Sequence, residues 1–203
     1  MSLAFADIAF TPQVQAEQDR LGSAKTYRKF LSDERQGGEH LGPSEAEFLT
    51  NRDGFFQATM SENGWPYVQF RGGSPGFIKV LNDKTIAYAD YRGNRQYISA
   101  GNLAHSPRVS LIAVDYPNQR RLKLWGEARL IDPESDPEMM AKLLIGNQKI
   151  ERIVKIYIAA LDWNCPRNIP RRFTLEELEP DLAALRNQIA DLKAENAVLK
   201  RAY

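Results

Sequence analysis

A turn with two arginines is the segment of this chain best suited to bind an anion. Arg92, Gly93, Asn94 and Arg95 follow a β-like run and precede Gln96–Leu103, which is compatible with a short helix. Backbone N–H groups at a helix start, a flexible glycine and a forked guanidinium together suit a phosphate monoester. The alternative is a solvated turn whose arginines pair with carboxylates, and this segment taken alone favours that alternative.

A second basic cluster leads into a strand-like run. Alternation in a strand sends Arg121 and Lys123 to one face and Leu122 and Leu124 to the other. Two cations on one face of a strand could meet an anionic or electron-rich ring at a barrel mouth or a dimer interface. The alternative is an exposed strand face, which is the better account of Arg120.

A third candidate lies before a loop rich in glycine. Gln69, Phe70 and Arg71 end a β-like run, and three glycines follow within residues 72–76. Because glycine carries no side chain, a flat ligand could approach the backbone closely there. Phe70 considered alone is more typical of a core residue.

Short β-rich runs separated by turn residues must position these side chains. The six runs are 55–60, 67–71, 77–81, 85–90, 109–115 and 121–131. This pattern of short strands and turns predicts a small β-barrel, closed or nearly closed, because closure removes exposed strand edges. A last strand is predicted around 153–158, followed by an irregular segment at 161–166 in which Trp163 stands beside polar side chains.

Peripheral helices are predicted on either side of the β-rich region. One begins at Pro12 and continues to residue 31, interrupted by Gly22. Ser44 and Glu47 have the spacing of a capping box that opens a short helix. Asp136 is the predicted N-cap of a helix that runs through residue 145.

The tail carries the clearest periodic signal in the chain. Its apolar positions alternate steps of three and four, which is the seam of a short coiled coil: Leu175, Leu178, Leu182, Leu185, Ile189, Leu192, Asn196 and Leu199. Pro180 is expected to end a first turn, so that the continuous helix begins near Asp181. Asn196 at an a position favours a parallel pair, and Asp181 with Arg186 and Glu195 with Lys200 could pair across it. The alternative is a helix packed on its own barrel.

Whole-chain properties exclude several function classes. The 203 residues, 43% of them apolar, suit one main domain with appendages, and 27 basic against 26 acidic residues argue against nucleic-acid binding. Cys165 is the single cysteine, and with only His40 and His105 beside it no zinc spacing exists. No apolar run approaches the length of a membrane-spanning helix, and a cytoplasmic location is expected.

Together these segments resemble the FMN-binding split-barrel proteins related to pyridoxamine 5′-phosphate oxidase. The resemblance covers about residues 45–173. It rests on the hairpin 56–71, the strand 85–91, the triplet Asn94-Arg95-Gln96, the segment 102–109 and the strand 121–128. The segments 71–77, 90–97 and Asp162-Trp163-Asn164-Cys165-Pro166 look like one uncharacterised subgroup of that family.

The resemblance implies a mainly β fold with peripheral helices, a split β-barrel and a C-terminal coiled-coil helix. The expected divisions are N-terminal covering helices over 1–50, the FMN-binding barrel over 51–173 and the coiled-coil helix over 174–203.

The resemblance also implies FMN as cofactor and a homodimer with the flavin at the subunit interface. In that family the residue matching Arg121 reaches a flavin bound mainly by the other subunit, and Trp163 could cover one face of the ring. The implied cofactor-binding residues are Gln69, Phe70, Arg71, Tyr88, Ala89, Asp90, Asn94, Arg95, Gln96, Arg121, Lys123 and Trp163.

One departure from the oxidases narrows the function. Their C-terminal end carries a tryptophan followed by an Arg-x-His pair that helps to hold pyridoxal, whereas residues 163–172 here contain no histidine. Oxidation of pyridoxamine phosphate is therefore not expected. The sequence predicts an FMN-dependent oxidoreductase of unknown substrate; the alternative is a non-catalytic module that binds flavin, heme or the deazaflavin F420.

Overall fold

The structure, a computed structural model, describes residues 3–32, 37–146, 148–163 and 165–202. Asn164, part of the segment compared above with the uncharacterised subgroup, lies outside the described residues. The chain divides into two compact units. The first contains the residues up to Asp115 together with Arg120–Pro166, and the second contains Tyr116–Gln119 and the residues from Arg167 onward. No helix in the described part of the chain is long and apolar enough to cross a bilayer.

A seven-stranded antiparallel sheet forms the first unit. Its strands are β1 (Gly54–Met60), β2 (Pro66–Gly72), β3 (Lys79–Asn82), β4 (Thr85–Tyr91), β5 (Arg108–Asp115), β6 (Arg120–Ile131) and β7 (Ile150–Trp163). The order across the sheet is β2-β1-β5-β6-β7-β4-β3. β2 and β3 are edge strands, so backbone hydrogen bonds do not close the sheet. The predicted split-barrel class is confirmed, with two open edges.

Side chains bring the two halves of the open sheet together. Tyr88 on β4 donates its hydroxyl hydrogen to Gln57 Oε1 on β1 at 2.7 Å, and Phe55 packs edge-on against the Tyr88 ring at 5.3 Å. β1 and β4 are not neighbours in the hydrogen-bonded order. The sheet must therefore curl, and its concave face encloses the main core.

Alternation along the strands explains which residues build the core. On β5 the buried apolar residues are Val109, Leu111 and Ala113, buried Asp115 continues the alternation, and the residues between them are partly exposed. β4 and β7 are covered on both faces, because a smaller apolar cluster that includes Ala87 and Ile153 packs beneath a short helix. This double burial makes β4 a rigid support for the turn that follows it.

The helices are α1 (Ala4–Ala9), α2 (Pro12–Arg20), α3 (Ala24–Tyr27), α4 (Pro43–Thr50), α5 (Ile98–His105), α6 (Pro137–Leu143) and α7 (Leu175–Ala202), with 3-10 turns at Arg28–Leu31 and Pro133–Ser135. α1 is a helix that the sequence analysis did not predict. α2 begins at Pro12 as predicted, and α6 has the predicted N-cap, since Asp136 accepts a hydrogen bond from the Met139 amide at 3.1 Å.

Two predicted helix starts are wrong. α4 is capped at Gly42, whose amide donates to Glu45 Oε2 at 2.9 Å, and not through Ser44 and Glu47. Pro43 occupies the first helical position and so shifts the cap by two residues from the predicted one. α5 begins at Ile98 and not at Gln96, because Tyr97 adopts a left-handed backbone conformation with φ of 55°.

Two strand boundaries also differ from the predictions. β3 begins at Lys79 and not at residue 77, because Phe77 closes a turn onto the Ser74 carbonyl and its ring stacks on Phe55. The segment 161–163, predicted to be irregular, continues β7. The reason is the length of β6, which offers Leu122–Leu124 as pairing partners to these residues.

α7 belongs to the second unit and begins earlier than predicted. Thr174 and Glu177 form a reciprocal capping box: the Glu177 amide donates to Thr174 Oγ1 at 3.1 Å, and the Thr174 amide donates to Glu177 Oε2 at 2.8 Å. The helix then continues through Pro180. The prediction of a start near Asp181 is wrong, because this cap starts the helix at Leu175 and Pro180 removes only one backbone hydrogen bond.

Gly126 provides a test of the packing between β6 and β7. It lies where the register of these strands shifts, and a Cβ atom there would collide with the Tyr157 carbonyl oxygen. We expect Gly126→Ala to lower the free energy of unfolding by about 2 kcal/mol, measured by urea denaturation. Gly101→Ala in α5 is the control: its added Cβ meets no atom within 4 Å, and helix propensity should stabilise that variant by about 0.5–1 kcal/mol. If both substitutions changed the free energy of unfolding in the same direction, this account of Gly126 would be contradicted.

Candidate functional site

A cavity of about 220 Å³ opens where β4 leads into α5. Three structural regions supply its walls: β2, the turn after β4 with the start of α5, and the first residues of β7. Six of the predicted site residues line it: Gln69, Arg71, Asp90, Asn94, Arg95 and Gln96. The structure therefore brings Asn94, Arg95 and Gln96 of the turn together with the end of β2.

The pairing of β1 with β2 decides which β2 side chains enter the cavity. Gln69 pairs with Gln57 and Arg71 pairs with Phe55, and both β1 partners are buried on the concave face. Gln69 and Arg71 therefore share that face. Phe70 points to the opposite, convex face, where it is 57% exposed.

A buried carboxylate forms the floor of the cavity. Asp90 accepts a hydrogen bond from Arg71 Nη1 at 2.6 Å and another from Arg152 Nε at 3.0 Å. Arg71 is on an edge strand that is not a hydrogen-bonded neighbour of β4, so this ion pair spans the split in the sheet. Arg71 Nε is also buried and has no hydrogen-bond partner among the described residues.

The charges around the cavity favour an anion. Its lining contains the guanidinium groups of Arg71, Arg95 and Arg152 and the carboxylates of Asp90 and Glu151. Three cations against two anions leave one excess positive charge. Two of the guanidinium groups are held by Asp90, whereas Arg95 is exposed and free to turn toward a ligand.

The turn itself has an unusual backbone. Arg95 and Tyr97 both adopt left-handed conformations, with φ of 62° and 55°. Such conformations cost free energy in residues other than glycine and recur at functional sites. The Asn94 side chain stabilises the turn, because its Oδ1 atom accepts a hydrogen bond from the Gln96 amide at 3.1 Å.

Tyr97 connects the turn to β7. Arg95 Nε donates to the Tyr97 hydroxyl at 3.4 Å, and that hydroxyl donates to Glu151 Oε1 at 3.3 Å. The hydrogen bond to Tyr97 raises the pKa of the Arg95 guanidinium. The Arg152 guanidinium stacks over the Tyr97 ring at 4.8 Å. Arg95 thus contacts a tyrosine hydroxyl that also bonds to β7.

Gln69 is oriented by the start of α5. Ser99 Oγ donates to Gln69 Oε1 at 2.9 Å. With its carbonyl oxygen occupied, the Gln69 amide presents its NH₂ group as a donor. A ligand with hydroxyl or carbonyl oxygens would find a fixed donor at this wall.

Tyr88 and Ala89 are predicted site residues whose side chains do not line the cavity. Tyr88 is fully buried in the main core, and burial raises the pKa of its hydroxyl. Ala89 points to the other face of β4 and packs on the smaller apolar cluster. Neither residue is therefore among those that line the cavity.

Arg121, Lys123 and Trp163 lie at the opposite end of the sheet from the cavity. On β7, Arg152 pairs with Asp90 of β4. Trp163 of the same strand pairs with Leu122 of β6 and lies roughly 35 Å from Arg152 along the strand. In a single chain these three residues therefore cannot join the residues around Arg95.

Trp163 and Lys123 have partners of their own. Trp163 Nε1 donates to Glu45 Oε1 at 2.6 Å, the Phe48 ring meets the indole edge-on at 4.8 Å, and the Arg120 guanidinium lies 4.5 Å from its centre. Lys123 Nζ lies 3.7 Å from Asp162 Oδ2. Burial raises the pKa of Asp162, and the nearby Lys123 opposes that shift.

Tyr97, Ser99, Glu151 and Arg152 are cavity residues that sequence reasoning missed. Glu151 and Arg152 begin β7, and only the register of β7 against β4 reveals that they face Asp90. Arg92, the first arginine of the turn, lines a separate cleft of about 720 Å³ and lies 3.9 Å from Glu151. Within the described ranges, no cluster of three or more His, Cys, Asp or Glu side chains could hold a metal ion.

Several known structures resemble this chain weakly. An FMN-binding protein from Syntrophomonas wolfei is 14% identical, with 60% of this chain and 85% of that chain covered and a TM-score of 0.47. HupZ from Group A Streptococcus is 14% identical (66% and 100% covered, TM-score 0.47). HutZ, the heme storage protein from Vibrio cholerae, is 17% identical (60% and 93% covered, TM-score 0.39). These likenesses are too distant to carry an argument about the ligand.

A family match is more informative than these structures. No curated protein matches the chain. The family model described as pyridoxamine 5′-phosphate oxidase, however, matches residues 41–160. The matched segment includes all the strands except the end of β7, and with them the whole lining of the cavity. Because this match spans more than half of the chain, the protein belongs to the pyridoxamine 5′-phosphate oxidase family.

Proposed function

We propose that this protein binds FMN in the cavity at the end of β4, as a homodimer whose flavin site is shared between subunits, and that it is an oxidoreductase. The observation that carries the proposal is the turn at Asn94–Gln96: an exposed arginine with a left-handed backbone stands at the mouth of a cavity with excess positive charge. Family membership supports flavin as the cofactor.

The residues of the turn fit a phosphate monoester. Arg95 supplies a forked donor that can hold two phosphate oxygens, and the fixed charges of Arg71 and Arg152 favour a dianion nearby. The Gln69 amide, fixed by Ser99, suits the hydroxyl groups of a ribityl chain.

The size of the cavity supports a shared site. Pockets for organic ligands commonly measure about 300–1,000 Å³, whereas this cavity measures about 220 Å³. One chain has room for the phosphate and part of the ribityl chain. This size supports the proposal that a second copy supplies walls for the ring system.

The convex face of the sheet is the surface for that second copy. Phe56 pairs with Phe70 on β2 and with Ile112 on β5, and Ile112 pairs with Lys123 on β6, so all four side chains share the face. Exposed apolar side chains here include Phe56, Met60, Val68 and Phe70, at 38–59% exposure. A contiguous exposed apolar patch of this kind marks an interaction surface. An interface on this face would also contain Lys123 and, two residues before it, Arg121.

The flavin itself supplies the redox chemistry, because its ring accepts and donates hydride or single electrons. Arg95 and its neighbours hold the phosphate and thereby fix the position of the ring. Arg121 and Lys123 of a second subunit would place positive charge near the ring and favour its anionic form. Neither His40 nor His105 is among the residues that line the cavity, so no histidine there could act as an axial ligand of heme.

Titration of the purified protein with FMN and with riboflavin tests the proposal. Both ligands carry the same ring, but only FMN carries the phosphate. We expect quenching of flavin fluorescence at low FMN concentration and at least tenfold weaker binding of riboflavin, because a charge-assisted contact contributes about 1.5–3 kcal/mol. Equal affinities for FMN and riboflavin would contradict a phosphate site in this cavity. Binding of heme without any binding of FMN would favour the alternative, a non-catalytic heme-binding module.

The shared site gives a second prediction. Val68→Asp places a charge in the centre of the convex apolar face without altering the cavity lining. We expect this variant to dissociate into monomers more readily than the unaltered protein, measured by sedimentation, and to lose most of its FMN affinity. Leu21→Asp is the control, because Leu21 is 69% exposed but lies outside that face. A Val68→Asp monomer that binds FMN normally would show that one chain holds the whole site.

A further inference from the structure

α7 is long enough to form a coiled coil of its own. It contains 28 residues, which is four complete heptads, and spans about 42 Å. With Leu175 and Leu182 at a positions, Pro180 takes an f position on the outer side of the helix. The proline therefore does not interrupt the apolar seam, and the capping box at Thr174 secures the first turn.

Most apolar side chains of the α7 seam are exposed, and Leu178 and Leu182 are partly exposed. The exposed fractions are 80% for Leu175, 54% for Leu185, 51% for Ile189, 58% for Leu192 and 51% for Leu199. Apolar residues on the same helical stripe, repeated every seven residues, are typical of helices that pair. A partner helix would remove this surface from water.

We propose that α7 pairs with α7 of a second copy as a parallel, in-register, two-stranded coiled coil. Asn196 identifies this arrangement. In a parallel, in-register pair, equivalent a positions meet, so the two Asn196 amides lie side by side and can hydrogen-bond to each other. In an antiparallel pair, a positions meet d positions, and each amide would be buried against a leucine with no partner. In the single chain Asn196 Nδ2 donates a hydrogen bond to the Leu192 carbonyl of its own helix at 3.2 Å.

The charges beside the seam select the same partner and the same register. In a parallel pair, each g residue lies near the e residue five positions later in the other helix. Asp181 then meets Arg186, and Glu195 meets Lys200, in both directions across the pair. Arg186 is exposed and pairs with Glu179 of its own helix at 2.6 Å, so it can exchange partners at little cost. A second copy of α7 therefore supplies the complementary charges that this helix needs.

Cysteine cross-linking of the full-length protein tests the arrangement. Leu192 is a d position, and in a parallel, in-register pair the two equivalent Cα atoms approach to about 6 Å, which is within the range for a disulfide. In a Cys165→Ser background, Leu192→Cys is expected to form a covalent dimer within minutes of mild oxidation. Ala194→Cys, at an outward f position of the same helix, is the matched control and is expected to remain monomeric on a non-reducing gel.

Charge reversal tests the register. Arg186→Glu places a carboxylate opposite Asp181 and is expected to slow the Leu192→Cys cross-link at least threefold, and Asp181→Arg added to it is expected to restore the rate. Circular dichroism confirms that α7 stays helical in these variants. A cross-link at Ala194 as fast as at Leu192, or an absent Leu192 cross-link in a protein that sediments as a dimer, overturns the proposal. Neither outcome depends on FMN binding.

Discussion

Replacing Arg95 with alanine is expected to weaken FMN binding by about 10- to 150-fold, which corresponds to about 1.5–3 kcal/mol. Arg95 is the exposed guanidinium of the cavity, and in the single chain its side-chain contact is with the Tyr97 hydroxyl at 3.4 Å. It can therefore turn to a phosphate without breaking a buried ion pair. Fluorescence titration of the purified protein with FMN measures the loss.

Two controls separate a phosphate contact from a general disturbance of the turn. Riboflavin affinity should be the same in Arg95→Ala and in the unaltered protein, because riboflavin has no phosphate to lose. Arg92→Ala removes a guanidinium three residues away that lines the neighbouring cleft, and it should change FMN affinity less than threefold. If Arg92→Ala weakened FMN as much as Arg95→Ala, the phosphate would have to lie in the cleft beside Glu151.

The left-handed backbone makes a conservative replacement informative as well. Arg95→Lys keeps the charge but loses the forked geometry, so we expect an intermediate loss of FMN affinity. Arg95→Gly should relieve the cost of φ at 62° while it abolishes the contact. An Arg95→Gly variant that is more stable but binds FMN weakly would indicate that the backbone strain at this position serves FMN binding.

Local patterns in the sequence were sufficient to predict most of the strands. β1, β2, β4, β5 and β6 begin and end within one residue of the predicted runs, because alternation and turn residues are local signals. The start of β3 and the end of β7 depended on partners that are distant in sequence. Phe77 lies outside β3 because its ring stacks on Phe55. Residues 161–163 belong to β7 because β6 extends far enough to pair with them.

The residues of the candidate site also fall into those that local sequence indicates and those that depend on distant partners. Asn94, Arg95 and Gln96 lie in a contiguous turn with arginine, glycine and asparagine, which made the segment a candidate. The family resemblance was needed to prefer a phosphate site over a solvated turn. Glu151 and Arg152 could not be found from the sequence, because their role depends on the register between β4 and β7. The contact of Arg71 with Asp90 depends on the curl of the whole sheet, which no local pattern encodes.

The residues at the far end of β7 show a different limit. Arg121, Lys123 and Trp163 were expected beside the flavin from the family resemblance, and in one chain they lie far from Arg95. Their predicted role therefore depends entirely on a second subunit. For Trp163 the contacts with Glu45 and Phe48 give the indole a structural role within its own chain as well.

Removing the charge of Asp90 is expected to lower the free energy of unfolding by about 3 kcal/mol. Asp90→Asn keeps the shape of the side chain but leaves the guanidinium groups of Arg71 and Arg152 without their common counter-charge. Loss of one partner from a buried ion pair costs about 3–5 kcal/mol, and we expect the lower end because the two arginine side chains are 17% and 25% exposed. Urea denaturation followed by tryptophan fluorescence measures the change.

The control for Asp90→Asn is a carboxylate with the same kind of partner at the surface. Asp19 pairs with Arg28 at 2.6 Å, but both side chains are more than half exposed, so Asp19→Asn should cost less than about 1 kcal/mol. The variant at Asp90 also changes the charge of the cavity, because three guanidinium groups then face the single carboxylate of Glu151. Inorganic phosphate should therefore stabilise Asp90→Asn more than it stabilises the unaltered protein. Equal stabilisation of both proteins would mean that Arg71 and Arg152 do not contribute to the potential that an anion meets in the cavity.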